Sequence, residues 1–371
     1  MKVGIPSEVK NNEFRVAITP AGVHELVRHG HEVYVQQGAG LGSSITDAEY
    51  VAAGGAILPT ADEVWAIADL LLKVKEPIEE EYHRLRKDQT LFTYLHLAAS
   101  RPCTDALIAS GTTAIAYETV ETPDRRLPLL APMSEVAGRL APQVGAYHLM
   151  RAAGGRGVLP GGVPGVAAGK AVVIGGGVSG WNATQIAVGM GFHVTLLDRD
   201  INKLKEADKV FGTKVQTVVS NSFELERACL EADLVIGAVL IPGAKAPKLV
   251  TNELVSRMKP GSVLVDIAID QGGCFEDSHP TTHAEPTFQV HNSVFYCVAN
   301  MPGAVPNTST HALTNATLPY ILELADRGWA EALRRDAALA KGLNTHDGKV
   351  VYREVAEAHG LEHVELSALL G

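Results

Sequence analysis

Residues 170–200 read KAVVIGGGVSGWNATQIAVGMGFHVTLLDRD, which predicts a strand, a glycine-rich turn, a helix and a second strand. Gly175, Gly177 and Gly180 match the pattern G-x-G-x-x-G. In that pattern glycine allows a tight turn, close approach of a pyrophosphate to backbone N–H groups, and close packing of helix on strand. A glycine-rich turn that binds nothing is the alternative, but it would not need the acid Asp198 at the end of the second strand. The stretch therefore predicts a dinucleotide-binding βαβ unit.

Asp198 also indicates which dinucleotide is bound. It follows Gly175 by 198 − 175 = 23 positions, where a carboxylate can accept hydrogen bonds from the adenosine ribose hydroxyls. Its charge would repel the 2′-phosphate of NADP, so NAD is the predicted cofactor. The N-terminus of the following helix supplies partial positive charge for the phosphates. The neighbouring Arg199 would suit NADP and keeps that alternative open.

Composition argues against several classes of protein. The net charge of −10 over 371 residues would repel nucleic acid. No apolar run approaches the roughly 18 residues of a membrane span, and the N-terminus has no secretory signature. The cysteines have no metal-ligand spacing and predict reduced thiols, so the cytoplasm is the expected location. They are Cys103, Cys229, Cys274 and Cys297.

Short apolar runs alternate with amphipathic stretches, which predicts an α/β fold with largely parallel strands. Thr19 and Pro20 predict the start of the first helix, and Gly30 its end. A longer helix is expected to be capped at Ser134, and the charged run 76–88 to be a solvated helix face. The expected strands are residues 3–5, 31–36, 70–74, 90–95, 171–174, 193–197, 234–240 and 263–267.

The order of these elements predicts two doubly wound, Rossmann-like domains. The NAD-binding domain is expected at residues 129–306. It is inserted into a discontinuous catalytic domain formed by residues 1–128 and 307–371. After Val305 the chain returns to helix, with too little strand sequence to form a domain of its own.

Polar side chains follow the apolar runs, and in open α/β sheets ligands bind at the ends of the strands. His96, Lys75 and Asp270 each follow an expected strand, and Arg15 lies in the loop before the first helix. Arg15 and Lys75 can hold a carboxylate, and His96 can move protons near neutral pH. Asp270 can orient water or ammonia beside a reacting carbon. The structural alternatives are a hydrogen-bonding His96, a surface Lys75, and an Asp270 that contacts only the nicotinamide ribose.

Other polar residues give weaker signals. His279 and His283 have i, i+4 spacing, but Pro280 argues against a metal-binding helix. Cys274 and Cys297 lack a partner base and are expected to be inert core thiols. No metal site is predicted.

The sequence resembles the alanine dehydrogenase family over essentially its whole length. The resemblance implies NAD-dependent oxidative deamination of L-alanine to pyruvate and ammonia, the reverse reaction, and a side activity on glyoxylate. It also implies a homohexamer. The stretches that carry it are 1–20 (MKVGIPSEVKNNEFRVAITP), 70–77 (LLLKVKEP), 91–100 (LFTYLHLAAS), 131–139 (APMSEVAGR), 235–250 (VIGAVLIPGAKAPKLV), 263–276 (VLVDIAIDQGGCFE) and 298–306 (VANMPGAVP).

The resemblance also assigns roles to individual residues. It implies that Arg15 and Lys75 bind substrate and that His96 and Asp270 are catalytic. Arg327 stands where some relatives carry His, which puts in doubt a metal site shared with Glu323. The implied cofactor-binding residues, beside the glycines, are Ser134, Val178, Ser179, Asp198, Lys203, Ser220, Val239, Leu240, Ile267, Asp270, Val298, Ala299, Asn300 and Met301.

Three other functions are compatible with these patterns. A soluble NAD-binding subunit of a transhydrogenase resembles the same family. A saccharopine or lysine-forming dehydrogenase would need a wider substrate pocket. A non-enzymatic NAD sensor would bind the cofactor without turnover.

Overall fold

The computed structural model describes residues 1–239 and 247–370. Leu240, one of the expected cofactor contacts, lies outside the described residues. The chain divides into two compact units. Unit 1 comprises Met1–Met133 and Val305–Gly371, and unit 2 comprises Ser134–Ala304.

Strands are numbered along the described part of the chain. Unit 1 begins with β1 (Lys2–Ile5), β2 (Glu32–Gln36), β3 (Ala56–Leu58), β4 (Leu70–Leu72), β5 (Thr90–Thr93) and β6 (Thr113–Ala116). Unit 2 contains β7 (Lys170–Ile174), β8 (His193–Asp198), β9 (Val215–Val219), β10 (Leu234–Gly237), β11 (Val263–Asp266), β12 (Thr287–Val290) and β13 (Ser293–Tyr296). The last two, β14 (Leu343–His346) and β15 (Lys349–Val350), return to unit 1.

The helices are numbered in the same way. They are α1 (Pro20–Arg28), α2 (Asp47–Ala52), α3 (Ala61–Ile67), α4 (Glu79–Tyr82), α5 (Arg101–Ser110), α6 (Ala131–His148), α7 (Val178–Gly189), α8 (Ile201–Phe211), α9 (Ser222–Glu231), α10 (Asn252–Arg257), α11 (Pro306–Arg327), α12 (Trp329–Arg335), α13 (Ala337–Ala340), α14 (Arg353–His359) and α15 (Ser367–Leu370). Among the described residues, no helix is both long enough and apolar enough to cross a membrane.

The sheet of unit 1 has the order β15-β14-β6-β5-β4-β1-β2-β3. The six neighbouring strands β6, β5, β4, β1, β2 and β3 are parallel. The C-terminal β14 pairs antiparallel with β6. Because neighbouring parallel strands end at the same edge, the segments after β1, β4, β5 and β6 begin close together.

The sheet of unit 2 has the order β12-β13-β11-β10-β7-β8-β9. All pairs are parallel except β12, which pairs antiparallel with β13 at the edge. From β7 the next two strands, β8 and β9, are added toward one edge of the sheet, and β10, β11 and β13 are added toward the other. In doubly wound folds, ligands bind outside the strand ends at the point where this order changes, here between β7 and β10. The prediction of two doubly wound α/β sheets is confirmed.

Burial explains why the strands of unit 2 are almost wholly apolar. Alternate residues of β7 contribute to different cores: Val173 packs with Leu196 and Ile236, whereas Val172 packs with Leu264 on the other face. Successive side chains of a strand point to opposite faces of the sheet, so a sheet covered on both faces needs apolar residues at every position.

Three helix boundaries were predicted, and two of them are correct. Thr19 caps α1 by accepting a hydrogen bond from Gly22 N at 3.4 Å, and Gly30 follows the helix with φ +84°. The helix expected to be capped at Ser134 instead begins at Ala131. Pro132 suits its first turn, because an N–H in that turn has no partner within the helix.

Candidate functional site

In unit 1, candidate side chains follow four strands whose ends lie at one edge of the sheet. Arg15 lies in the loop after β1, and Lys75 and His96 lie three residues after the ends of β4 and β5. Glu118, which the sequence analysis missed, lies in a 3-10 turn after β6. The apolar run TAIA before it is the signal that would have found it, because a polar side chain again follows a buried strand.

Arg15 is buried and held in one orientation by Glu13. Its Nε donates to Glu13 Oε1 at 2.7 Å, and its Nη2 to Oε2 at 2.6 Å. Nη1 lies 3.0 Å from Met133 Sδ. Burial alone would lower the pKa of Arg15, but the Glu13 carboxylate raises it above its ordinary value. The guanidinium is therefore a fixed, permanent cation.

A buried ion cluster lies behind Lys75. The Lys73 ammonium is fully buried, 3.2 Å from Glu8 Oε2 and 2.9 Å from Glu81 Oε1. Glu81 belongs to the charged run 76–88, so the prediction of a wholly solvated face is wrong at this position. A short helix turns Glu81 inward, because the Lys73 charge requires a buried counter-charge.

Glu8 joins this cluster to the segment that carries Lys75. Its Oε1 accepts from Val74 N at 2.6 Å, and its Oε2 from Lys75 N at 3.3 Å. The Lys73 side chain thus fixes Glu8, and Glu8 fixes the main chain at Lys75. No periodic signal in the sequence pointed to Glu8.

His96 adopts a left-handed backbone conformation with φ 49°, which costs free energy for a residue other than glycine and is frequent at functional sites. Glu118 Oε1 accepts from His96 N at 2.6 Å, and both Glu118 oxygens accept from Leu95 N at 3.2 Å. The Tyr94 ring stacks on the imidazole at a centroid distance of 5.8 Å. The Glu118 carboxylate thus stabilises a strained turn that presents His96.

A second carboxylate, Glu76, faces the imidazole. Its Oε2 lies 3.7 Å from His96 Nδ1, and its Oε1 accepts a hydrogen bond from Lys10. Burial opposes ionisation of Glu76, but His96 and Lys10 lower its pKa to about 2. Partial burial and Lys75 lower the pKa of His96, whereas Glu118 and Glu76 raise it above its ordinary value overall. His96 therefore lies between two carboxylates and within the field of Lys75.

In unit 2, the glycine-rich turn has the close approaches that the motif predicts. Gly175 has φ +100°, and a Cβ at Gly180 would lie 1.7 Å from Gly175 O. A Cβ at Gly177 would meet none of the described atoms within 4 Å. Gly177 is the N-cap of α7, and in the described structure no side chain caps that helix. The turn therefore combines open space with unsatisfied backbone N–H groups, which fits a bound pyrophosphate.

Asp198 lies beside this turn. Its Oδ2 accepts from Gly176 N at 2.6 Å, and its Oδ1 from Asp200 N at 2.8 Å. Lys203 Nζ lies 3.5 Å from Oδ2. These contacts fix the carboxylate at the end of β8, and carboxylate oxygens can accept further hydrogen bonds.

Apart from Ser134, the other expected cofactor residues of unit 2 also lie beyond the ends of parallel strands. Asp270 is exposed and lies in a 3-10 turn after β11, and Asn300 has a left-handed φ of 58°. Ser134 lies in the first turn of α6, and Val178 and Ser179 begin α7. Ser220 follows β9, Val239 follows β10 and Ile267 follows β11. The segment after β13 contains Val298, Ala299, Asn300 and Met301.

Asp266, which the sequence analysis did not single out, anchors the loop that carries Asp270. Its Oδ2 accepts from Cys274 N at 2.8 Å and from Ser278 Oγ at 2.6 Å. Its Oδ1 accepts from Ala268 N at 3.1 Å. Burial raises the pKa of Asp266 above its ordinary value. The loop is thus fixed to the end of β11 on both sides of Asp270.

The remaining candidates have structural partners. Cys274 and Cys297 are buried, and burial raises the pKa of both thiols. Arg327 Nε donates to Glu323 at 2.6 Å. Among the described residues, no group of three or more His, Cys, Asp or Glu side chains is arranged to hold a metal ion.

A cavity of about 310 Å³ lies elsewhere in unit 2, lined in part by Lys170, His193 and Arg227. Lys170 begins β7, whereas the glycine-rich turn lies beyond its other end. Two ion pairs lie in the lining of this cavity, Lys170 with Glu231 at 2.7 Å and Arg227 with Glu224 at 2.5 Å. The glycine-rich turn fits a dinucleotide better, because among the described residues no side chain caps the helix that follows it.

Comparison with known proteins agrees with this arrangement. Residues 4–137 match the family model "Alanine dehydrogenase/PNT, N-terminal domain", and residues 141–353 match the corresponding C-terminal domain. The chain is 68% identical to alanine dehydrogenase of Mycolicibacterium smegmatis, covering 100% of both chains.

Solved structures show the same relationship. An L-alanine dehydrogenase structure superposes with a TM-score of 0.95 at 52% identity, covering 97% of this chain and 99% of that one. A transhydrogenase from Sinorhizobium meliloti superposes with a TM-score of 0.84 at 27% identity, covering 95% and 100%. With both halves of the chain matched, the protein belongs to the alanine dehydrogenase family.

Proposed function

We propose that this protein catalyses the NAD-dependent interconversion of L-alanine with pyruvate and ammonia. The observation that carries the proposal is the set of groups around His96 in unit 1. An imidazole on a strained turn, with Lys75 beside it and Arg15 held at the same sheet edge, suits a substrate with a carboxylate and a group that exchanges protons. Full-length identity of 68% to an alanine dehydrogenase supports the choice of substrate.

NAD would be held by the glycine-rich turn, Asp198 and the segments after β9, β10, β11 and β13. When bound, NAD⁺ accepts a hydride from the substrate. The uncapped start of α7 suits the pyrophosphate, and Asp198 suits ribose hydroxyls over a 2′-phosphate. We therefore expect Asp198→Ala to weaken NADH binding and to reduce the discrimination against NADPH. A wild type that uses NADPH as well as NADH would contradict this role.

Arg15 and Lys75 would hold the substrate carboxylate. Glu13 fixes the plane of the Arg15 guanidinium, which favours bidentate binding of a planar anion. Lys75 would act as a point charge whose main chain is fixed by Glu8.

His96 would move the protons. Once L-alanine has lost a proton from its ammonium to water and a hydride from Cα to NAD⁺, it is an iminium ion. A water oxygen then bonds to that carbon while His96 takes one proton of the water. His96 returns this proton to nitrogen. The C–N bond then breaks and ammonia leaves, while the remaining hydroxyl proton passes to water as the C=O bond of pyruvate forms. Its exposed, charge-flanked position suits both transfers.

Asp270 would orient the water and the departing ammonia. It lies at a strand end on a loop that Asp266 anchors, so its main chain is well fixed. The competing role is a contact to the nicotinamide ribose.

The alternatives have less support. The transhydrogenase relative is 27% identical, against 68% for the alanine dehydrogenase. A saccharopine or lysine-forming dehydrogenase and an NAD sensor have no observation in their favour. We also propose a cytoplasmic homohexamer with a side activity on glyoxylate, on family membership alone. Light scattering tests the assembly, and a 39.3 kDa species alone at micromolar concentration would contradict it.

One assay tests the reaction. NADH oxidation is measured with pyruvate and ammonium, beside reactions with glyoxylate or 2-oxoglutarate in place of pyruvate. We expect rapid turnover with pyruvate, slower turnover with glyoxylate and none with 2-oxoglutarate. NADH binding without turnover on any of these substrates would favour the sensor.

A further inference from the structure

A histidine that transfers protons reacts through one ring nitrogen, and the partner of the other nitrogen selects the tautomer. Three charged side chains act on His96: Glu118, Glu76 and Lys75. Lys75 is a cation and cannot accept from a ring N–H. Among these charged groups, the choice of partner therefore lies between the two carboxylates.

Glu118 is committed to the main chain. Both of its oxygens accept from Leu95 N, and Oε1 also accepts from His96 N at 2.6 Å. These bonds support the left-handed backbone at His96. They leave the orientation of the ring to another group.

Glu76 has the geometry for that role. Its Oε1 is bonded by Lys10, whereas its Oε2 is buried and accepts no hydrogen bond within the described residues. That oxygen lies 3.7 Å from His96 Nδ1, which is longer than a hydrogen bond. A buried carboxylate oxygen without a donor is unfavourable, and catalytic hydrogen bonds that are long in a ligand-free structure often tighten when substrate binds.

We propose that Glu76 is a positioning residue that accepts a hydrogen bond from His96 Nδ1–H during turnover, so that Nε2 is the nitrogen that exchanges protons with substrate. Nε2 takes the proton from water and returns it to the leaving nitrogen. Nδ1 keeps its own proton throughout, and no proton passes to Glu76. The proposal rests on the proposed function of His96.

The charge of Glu76 sets the direction in which the pKa of His96 should shift when Glu76 is replaced. The carboxylate stays ionised because its pKa is about 2. It favours the imidazolium, so removing its charge lowers the pKa of His96 while Glu118 and Lys75 remain in place. Deamination needs neutral His96, so the acid limb of kcat/KM for L-alanine should move to lower pH.

The test compares Glu76→Gln with Glu79→Gln, which removes an exposed charge three positions away. For Glu76→Gln we expect kcat to fall roughly ten- to a hundredfold, with KM for pyruvate within about threefold. We also expect the acid limb to move down by about one pH unit. Glu79→Gln should leave all three unchanged. NADH binding, monitored by fluorescence, checks that each variant is folded.

Glu76→Asp provides a second measurement. It keeps the charge but withdraws the carboxylate by one methylene, so kcat should fall severalfold with an acid limb close to that of the wild type. Wild-type kcat and an unmoved limb in Glu76→Gln would overturn the proposal. If that variant does not fold, wild-type kcat in Glu76→Asp would do so. A wild type without alanine dehydrogenase activity would instead contradict the proposed function.

Discussion

The two sheets of this protein share one strand order but differ in the segment that comes after their first strand. The orders β3-β2-β1-β4-β5-β6 and β9-β8-β7-β10-β11-β13 are equivalent. After β7 comes a three-residue glycine turn that leads directly into α7. After β1 comes a loop of 14 residues, 6–19, that carries Glu8 and Arg15. One topology thus accommodates the proposed nucleotide site in unit 2 and the proposed substrate site in unit 1.

The first helix of each sheet makes the difference clearer. In unit 1, Thr19 caps α1 with its own side chain. In unit 2, Gly177 leaves the start of α7 without a side-chain cap in the described structure. When a side chain of the same protein accepts hydrogen bonds from the first N–H groups of a helix, fewer of these groups can bind an anion. N–H groups without such a partner can bind a phosphate. Under the proposed function, local sequence at the strand ends, and not topology, determines which ligand each sheet binds.

The largest effect is expected from His96→Ala. Removing the imidazole from unit 1 should lower turnover by about 10²–10⁴-fold, because proton transfer is lost. NADH affinity should stay within a few-fold of wild type, since the proposed nucleotide site lies in unit 2. Steady-state kinetics and NADH fluorescence measure the two. Near-normal turnover would return His96 to a structural role.

Gly180→Ala should disrupt unit 2. The new Cβ would lie 1.7 Å from Gly175 O, so we expect a loss of about 3 kcal/mol or more in stability, because the backbone must shift. Gly177→Ala is the matched control, because its Cβ meets open space. That variant should unfold at the wild-type temperature without nucleotide and bind NADH more weakly. Equal melting temperatures for the two variants would contradict the packing argument.

Asp270→Asn tests whether unit 2 also contributes to the chemistry. The amide keeps the size of the side chain but loses its charge and basicity. If Asp270 acts on water and ammonia, turnover should fall at least about a hundredfold, with NADH affinity within a few-fold of wild type. If affinity weakens while turnover at saturating NADH survives, Asp270 is a cofactor contact. Only unit 1 would then supply side chains to the chemistry.

The smallest effect is expected from Thr19→Ala. Loss of the α1 cap should destabilise the protein by about 0.5–2 kcal/mol. Asn221→Ala removes the cap of α9 in unit 2, where Asn221 Oδ1 accepts from Glu224 N at 2.9 Å, and should cost a similar amount. Neither change should alter NADH affinity. Chemical denaturation and NADH titration of both variants check this.

Features set by neighbours in sequence were predictable. The glycine turn, Asp198 and the cap of α1 depend on local backbone geometry, which a short pattern encodes. The positions of His96 and Lys75 at a sheet edge were predictable, because a polar residue just after a buried strand lies there. The same rule applied to β6 would have found Glu118, but that strand was not among those expected.

The ionic partners were not predictable. Glu8 and Lys73 lie 65 positions apart, and only the folded sheet brings them together. Glu81 was assigned to a solvated face, because a charged run gives no local sign of which member turns inward. Glu76 was in the same run, and its proximity to His96 depends on how two strand ends are placed. Long-range charge pairing thus accounts for most of what sequence reasoning missed in unit 1.

The cluster of Lys73, Glu8 and Glu81 has a consequence for how the family can vary. Replacing Lys73 leaves two buried carboxylates without their cation, and replacing either glutamate leaves Lys73 with one counter-charge where it now has two. Removing one member of a buried ion cluster is costly, whereas an apolar replacement of the whole set can be nearly neutral. The effects of substitutions at these three positions should therefore depend strongly on one another. Because the single variants are less stable, substitutions at one of these positions are expected to be rare. Across the family, the three residues should therefore be replaced together or retained together.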